Sequence, residues 1–163
     1  MSARYEVRPL SEDDWPVLRD LRLRALADSP DAFGPTQESA AVHPEAYWRA
    51  WARGRPGTFR AFAAFEGGRA VGLVSGGRRE DGSGHFGAVW ADPASRGHGL
   101  GRLLVETICA FLESVGSTRI ELDVTDGNPA ERLYGALGFT RTGASHPLRE
   151  GSELREVTMA RDV

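Results

Sequence analysis

Residues 90–102, WADPASRGHGLGR, set Gly97, Gly99 and Gly101 between the end of an apolar stretch and the start of a long amphipathic one. A glycine-rich helix start of this kind can receive an anion. The first backbone N–H groups of a helix lack internal partners and lie at the positive end of its dipole, and glycine lets phosphate oxygens come close. Two familiar phosphate chemistries fail on spacing. A dinucleotide fingerprint G-x-G-x-x-G would need glycine at Arg102 if begun at Gly97, or at Leu104 if begun at Gly99. A nucleoside triphosphatase loop needs Gly-Lys, and all 20 basic residues of the chain are arginine. Cys109, the single cysteine, has no companion for a disulfide or at zinc spacing, so neither a bridge nor a metal site is expected.

The elements that must position this loop can be read from periodicity and turn chemistry. A strand is expected over residues 5–10, followed by a helix over 13–27 that is opened by a capping box of Ser11 and Asp14. Val17, Leu18, Leu21 and Ala25 supply its buried stripe, and Arg22 and Arg24 are assigned to its polar face. DSPDAFGPTQES has the composition of a loop, and a second helix over 44–53 carries Tyr47, Trp48 and Trp51. Strands over 59–65 and 70–76 surround a Glu66-Gly67-Gly68 turn. The strand over 85–91 stops where Pro93 follows Asp92. Apolar residues from Leu100 to Val115 recur at intervals of three and four, the clearest helical signal in the chain. A strand over 119–124, a short helix over 129–137, a strand from Phe139, a polar loop containing Gly143 and Pro147, and a last strand over 154–160 complete the order. The fold class that follows is mixed α/β: a central sheet of six to seven strands flanked by about four helices.

At 163 residues the chain suits one domain, 1–163. Its net charge of -3 lacks the basic field that nucleic acid binding needs, so no nucleic acid partner is expected. No stretch approaches the roughly 18 apolar residues of a membrane span, and MSARYEVRPL has no secretory leader pattern, so no membrane partner and a cytoplasmic location are expected. A homodimer is the assembly that general frequency favours.

The segment Arg96-x-x-Gly99-x-Gly101 resembles the acyl-CoA pyrophosphate motif (Q/R)-x-x-G-x-(G/A) of the GCN5-related N-acetyltransferases. LDVTDGNPAERLYGALGF, residues 122–139, resembles that superfamily's second signature, a strand followed by asparagine, A-x-x-L-Y and L-G-F. Both occur in the family's order, and DSPDAFG ahead of an aromatic helix is similar to the substrate-side region of some members. The resemblance implies the family's fold, acetyl-CoA as cosubstrate, and transfer of its acetyl group to an amine of a small molecule or peptide.

Residue by residue, the resemblance implies that the backbone of Arg96, Gly97, His98, Gly99, Leu100, Gly101 and Arg102 holds the pyrophosphate. Val89, Trp90 and Ala91 would pair with the pantetheine arm in a splay between two strands, and Tyr134 would protonate the leaving thiolate. One residue rather than two separates Asn128 from Ala130, which leaves Asn128 either a CoA contact or a helix cap. An acceptor ammonium, with a pKa of about 10.4 if lysine-like, must first lose a proton. The strand over 85–91 offers only His85 as a titratable group, and the strand over 119–124 offers Asp123, so these are the candidate bases. Phe33, Tyr47 and Trp90 are the candidate walls of an acceptor pocket. The alternative function is a CoA-binding sensor that has kept the fold and lost efficient catalysis.

Overall fold

A computed structural model describes residues 4–163. In chain order the elements are β1 (Glu6–Pro9), a 3-10 turn (Glu12–Asp14), α1 (Trp15–Asp28), a second 3-10 turn (Pro30–Ala32), α2 (Gln37–Ala41) and α3 (Glu45–Arg53). There follow β2 (Phe59–Glu66), β3 (Arg69–Arg78), β4 (Gly84–Ala91), a 3-10 turn (Pro93–Ser95), α4 (Leu100–Ser114), β5 (Arg119–Thr125), α5 (Ala130–Ala136), β6 (Thr140–Pro147) and β7 (Arg155–Asp162). The strands form one seven-stranded sheet in the order β1-β2-β3-β4-β5-β7-β6. Only β4 and β5 run parallel; all the other neighbours are antiparallel.

Each face of the sheet carries its own apolar core. On one face α4 buries Leu100, Leu104, Val105, Ile108 and Leu112 against Val71, Val74, Phe86, Ile120, Leu122 and Val124. On the other, Leu18, Leu21, Ala25 and Leu26 of α1 and Trp48 and Ala52 of α3 cover Ala61, Ala63, Leu73 and Trp90. Each such Leu or Ile contributes about 1.5–3 kcal/mol by leaving water, so the sheet is clamped between two layers.

The structure differs from the sequence reading in the placement of several elements and side chains. The stretch read as loop holds the short helix α2, whose cap Thr36 accepts the Ser39 N–H at 3.1 Å. Gly143 and Pro147 lie in β6 rather than in a loop. As an edge strand, β6 tolerates a proline that cannot donate, and its register with β7 shifts between Arg141 and Ser145, around Gly143. Arg22 is not on a polar face: it is 9% exposed, among the buried residues of α1.

Candidate active site

Two strands that begin paired and then part create the site. β4 and β5 are joined only at Gly84 with Ile120 and at His85 with Glu121. Beyond that point β4 carries a bulge: Leu73 of β3 faces Trp90 and Ser75 faces Gly87, so β4 has one residue more than its partner. Ala88 takes the extra bend at φ 56°, rare for a residue with a side chain. Alternation is reset there, with Phe86 in the α4 core, Ala88 packed against the α1 core, Val89 against the α4 core again and Trp90 buried in the α1 core. A bulge bends its strand, and the edge of β4 facing β5 is left without a strand partner over residues 86–91.

At the end of β4 the chain enters the glycine loop. Gly97 and Gly99 adopt φ 82° and 81°, and Gly99 caps α4 in the left-handed region. None of the backbone N–H groups from Gly97 to Arg102 donates to an acceptor among the described residues; the first helical bond is from the Leu103 N–H to the Gly99 carbonyl. A Cβ built on Gly97 or Gly99 would meet no atom within 4 Å beyond its chain neighbours, so the loop is uncovered at these residues. This row of donors at the positive end of a 15-residue helix suits a diphosphate.

The loop is fastened to α1. The Asp92 carboxylate accepts the Ala94 N–H at 2.9 Å, the Arg69 guanidinium at 3.2 Å and the Arg24 guanidinium. Asp28 accepts the Trp90 indole N–H at 3.0 Å and Arg96 at 2.5 Å, while Arg96 Nε donates to the Ala91 carbonyl at 3.1 Å. The indole N–H, with Ser29 and Arg96 adding to it, holds the Asp28 carboxyl below its ordinary pKa. Burial resists ionisation of Asp92, but the Ala94 amide and the two arginines outweigh it.

A cavity of about 290 Å³ opens between the parted strands. Its walls include Phe33, His85, Val89, Asp123, Asn128, Tyr134 and Glu156, with Arg22. The loop carrying Phe33 is held by Arg149, which donates to the carbonyls of Pro30, Phe33 and Gly34. Tyr134 is 7% exposed and packs edge-on to Phe86 at 6.2 Å between centroids. Burial pushes its phenol up to about 12, so it keeps its proton throughout the neutral range. His85 Nε2 lies 3.1 Å from one Asp123 oxygen, and Thr158 donates to the other at 2.7 Å. The His85 contact first, and the Thr158 hydroxyl after it, hold the Asp123 carboxyl below its usual value.

Most of the residues singled out in the sequence thus meet around one gap. His85, Asp123, Asn128, Tyr134, Phe33 and Val89 line the cavity, and residues 96–102 form the loop at its end. Asn128 Oδ1 accepts the Ala130 N–H at 2.9 Å, so it satisfies the first amide of α5 as well as lining the cavity. Two acceptor-wall candidates lie elsewhere. Tyr47, 40% exposed, stacks on His43 and borders a separate groove with Trp51 and Phe59. The Trp90 side chain points into the α1 core because the bulge has reset its face. Arg96 and Arg102 carry ion pairs to Asp28 and Glu106, the latter at 2.6 Å, and His98 is exposed.

Two cavity residues were not anticipated. Glu156 has its pKa raised by burial and then by the nearby charge of Asp123, with His146 at 3.4 Å opposing. Its signal was the alternation of Glu156 and Thr158 against Val157 and Met159, which puts it on the Asp123 face once β7 pairs with β5. Arg22 falls four residues from both Leu18 and Leu26, on the buried stripe itself.

Comparison with known proteins identifies the family and the fold. Mycothiol acetyltransferase of Thermobispora bispora is 35% identical over 137 residues, covering 80% of this chain and 43% of that protein. The Catenulispora acidiphila protein of the same name is 43% identical over 67 residues, 39% of this chain and 21% of its own length. The chain therefore spans less than half the length of these curated relatives. The yncA protein of Salmonella typhimurium, solved with its cofactor acetyl-CoA, superposes with a TM-score of 0.80 at 22% identity over 98% of this chain and 94% of that one. The model of the acetyltransferase (GNAT) family matches residues 15–139, a span that holds the bulge, the glycine loop and the Tyr134 helix, and the chain belongs to that family.

Proposed function

We propose that the chain is an acetyl-CoA-dependent N-acetyltransferase that acetylates a primary amine of a small molecule or peptide by direct attack in a ternary complex. The single observation that carries this reading is the run of unpartnered amides at Gly97 to Arg102, opening beside a strand gap that contains a buried phenol and an imidazole–carboxylate pair. When bound, acetyl-CoA supplies the thioester carbonyl and a thiolate leaving group.

The residues of the chain divide the remaining work. The loop amides hold the diphosphate, and the free edge of β4 over residues 86–91 receives an extended chain as a strand would. Tyr134, still protonated at neutral pH, donates to the departing sulfur; a thiol pKa of about 8.5 means that the assistance required is modest. His85, oriented by Asp123, takes the proton from the acceptor ammonium directly or through water. Cys109 is no acetyl carrier, because burial pushes its thiol up to about 11 and it lies in the α4 core.

Thiol release with a panel of amines tests the assignment. Tyr134→Phe is expected to lower kcat by about 100-fold with CoA affinity unchanged. His85→Ala is expected to lower kcat/KM at pH 7 and to lose less at pH 9, where solvent has already removed more of the ammonium proton. Full turnover by Tyr134→Phe would contradict the acid role, and tight CoA binding with no thiol release from any amine would favour the sensor instead.

A further inference from the structure

Arg22 enters the cavity wall from α1, 9% exposed, with Nη1 buried and no hydrogen-bond acceptor within its reach among the described residues. Its guanidinium carbon sits 5.1 Å from the Phe33 ring centroid and 5.4 Å from that of Trp51. Aromatic faces attract the charge but accept none of the in-plane N–H bonds. Arginine stays protonated in proteins, and a buried charge that is left unpaired is costly unless a partner completes it. Other half-buried arginines on the helices and strands are served, for example Arg24 by Asp92 and Asp20 and Arg161 by the Leu137 carbonyl and Glu113. Arg22 alone among these has a buried guanidinium nitrogen without an acceptor among the described residues, and it lines the cavity between β4 and β5.

The same cavity carries the opposite charge on its sheet side. Asp123 and Glu156 line it there, together with His85. One wall thus offers a fork of donors suited to a carboxylate, and another offers carboxylates suited to an ammonium.

We infer that the acceptor is a small amine that also bears a carboxylate, with Arg22 receiving the carboxylate and the His85, Asp123 and Glu156 face receiving the amine. The inference names the substrate class for the transferase reading above and rests on it. The Phe33 and Trp51 rings lie beside the guanidinium and keep water from it, which sharpens its preference for a charged bidentate partner over a neutral amide.

The test compares each common α-amino acid with its own α-amide, which keeps size and removes the negative charge. Thiol release with acetyl-CoA reads kcat/KM. The amide's amine is less basic and more available, so chemistry alone favours the amide. The expected result is the reverse, a preference for the acid of at least about 30-fold that collapses toward unity in Arg22→Met and is partly kept in Arg22→Lys. CoA affinity by calorimetry should be unchanged in both variants. Equal turnover of acid and amide by the unmodified protein overturns the inference, as does discrimination that survives Arg22→Met. If neither variant folds, the acid-to-amide ratio of the unmodified protein decides alone.

Should no amine be turned over, the transferase reading fails while this one is still measured. The same acids and amides are titrated against the intrinsic tryptophan fluorescence, to which Trp51, 5.4 Å from the guanidinium, contributes among four tryptophans. Saturable binding of acids over amides sustains the inference, and equal or absent binding overturns it.

Discussion

Asp123 and Glu156 are carboxylates on one sheet face whose pKa values move in opposite directions. Asp123 is ionised more readily because His85 and Thr158 bind the charged form, so the stability it contributes is present above its unfolded value of about 3.9 and is lost as pH falls through its lower folded value. Glu156 is the reverse case. The fold favours its protonated form, so its contribution is present below its unfolded value of about 4.3 and is lost as pH rises through its higher folded value. Glu156→Gln should therefore raise Tm at pH 7 and bring no gain near pH 4, as scanning calorimetry would register. A lower Tm at pH 7 would mean that the His146 contact outweighs burial and the Asp123 charge. The two residues also differ in how visible they were. Asp123 stands beside a motif, whereas Glu156 joins it only through the pairing of residues 119–125 with 155–162, which no local pattern encodes.

Among the elements, α1 matters to the site through its last two turns. Arg24 and Asp28 fasten Asp92, Trp90 and Arg96, which fixes where the chain leaves β4 and where α4 begins. The Arg96 guanidinium is spent on Asp28 and the Ala91 carbonyl, so the motif arginine acts here as a tether for the loop. Asp28→Ala should then weaken CoA binding by about 10-fold while the far-ultraviolet dichroism stays unchanged; unaltered affinity would show that the amide row holds its shape without the tether. Regular elements such as α4 were legible because apolar spacing of three and four is a local signal. The short helix α2 and the edge strand β6 were not: α2 is five residues in a loop-like composition, and β6 contains the glycine and proline that elsewhere end strands. Trp90 lies outside the acceptor wall for a related reason, since a bulge at Ala88 inverts the alternation from which facing is read.

For the molecule as a whole, the sheet order puts the one parallel junction, β4 with β5, between two antiparallel groups of strands, and the site forms where that junction fails. The two signature blocks in the sequence mark the loop after β4 and the helix after β5, so they located both lips of the gap. They could not reveal the gap's depth or Arg22 in its wall, because these arise from helices packed over the sheet at long range. The central claim is that the amides from Gly97 to Arg102 grasp the diphosphate of CoA. Calorimetric titration of CoA into the folded protein tests it most directly, with Gly99→Val beside it, since a β-branched residue at φ 81° is strained and shifts the loop that carries the amides. The account predicts saturable one-to-one binding that falls by at least about 10-fold in the folded variant. No binding by the unmodified protein, or equal binding by the variant, would contradict it.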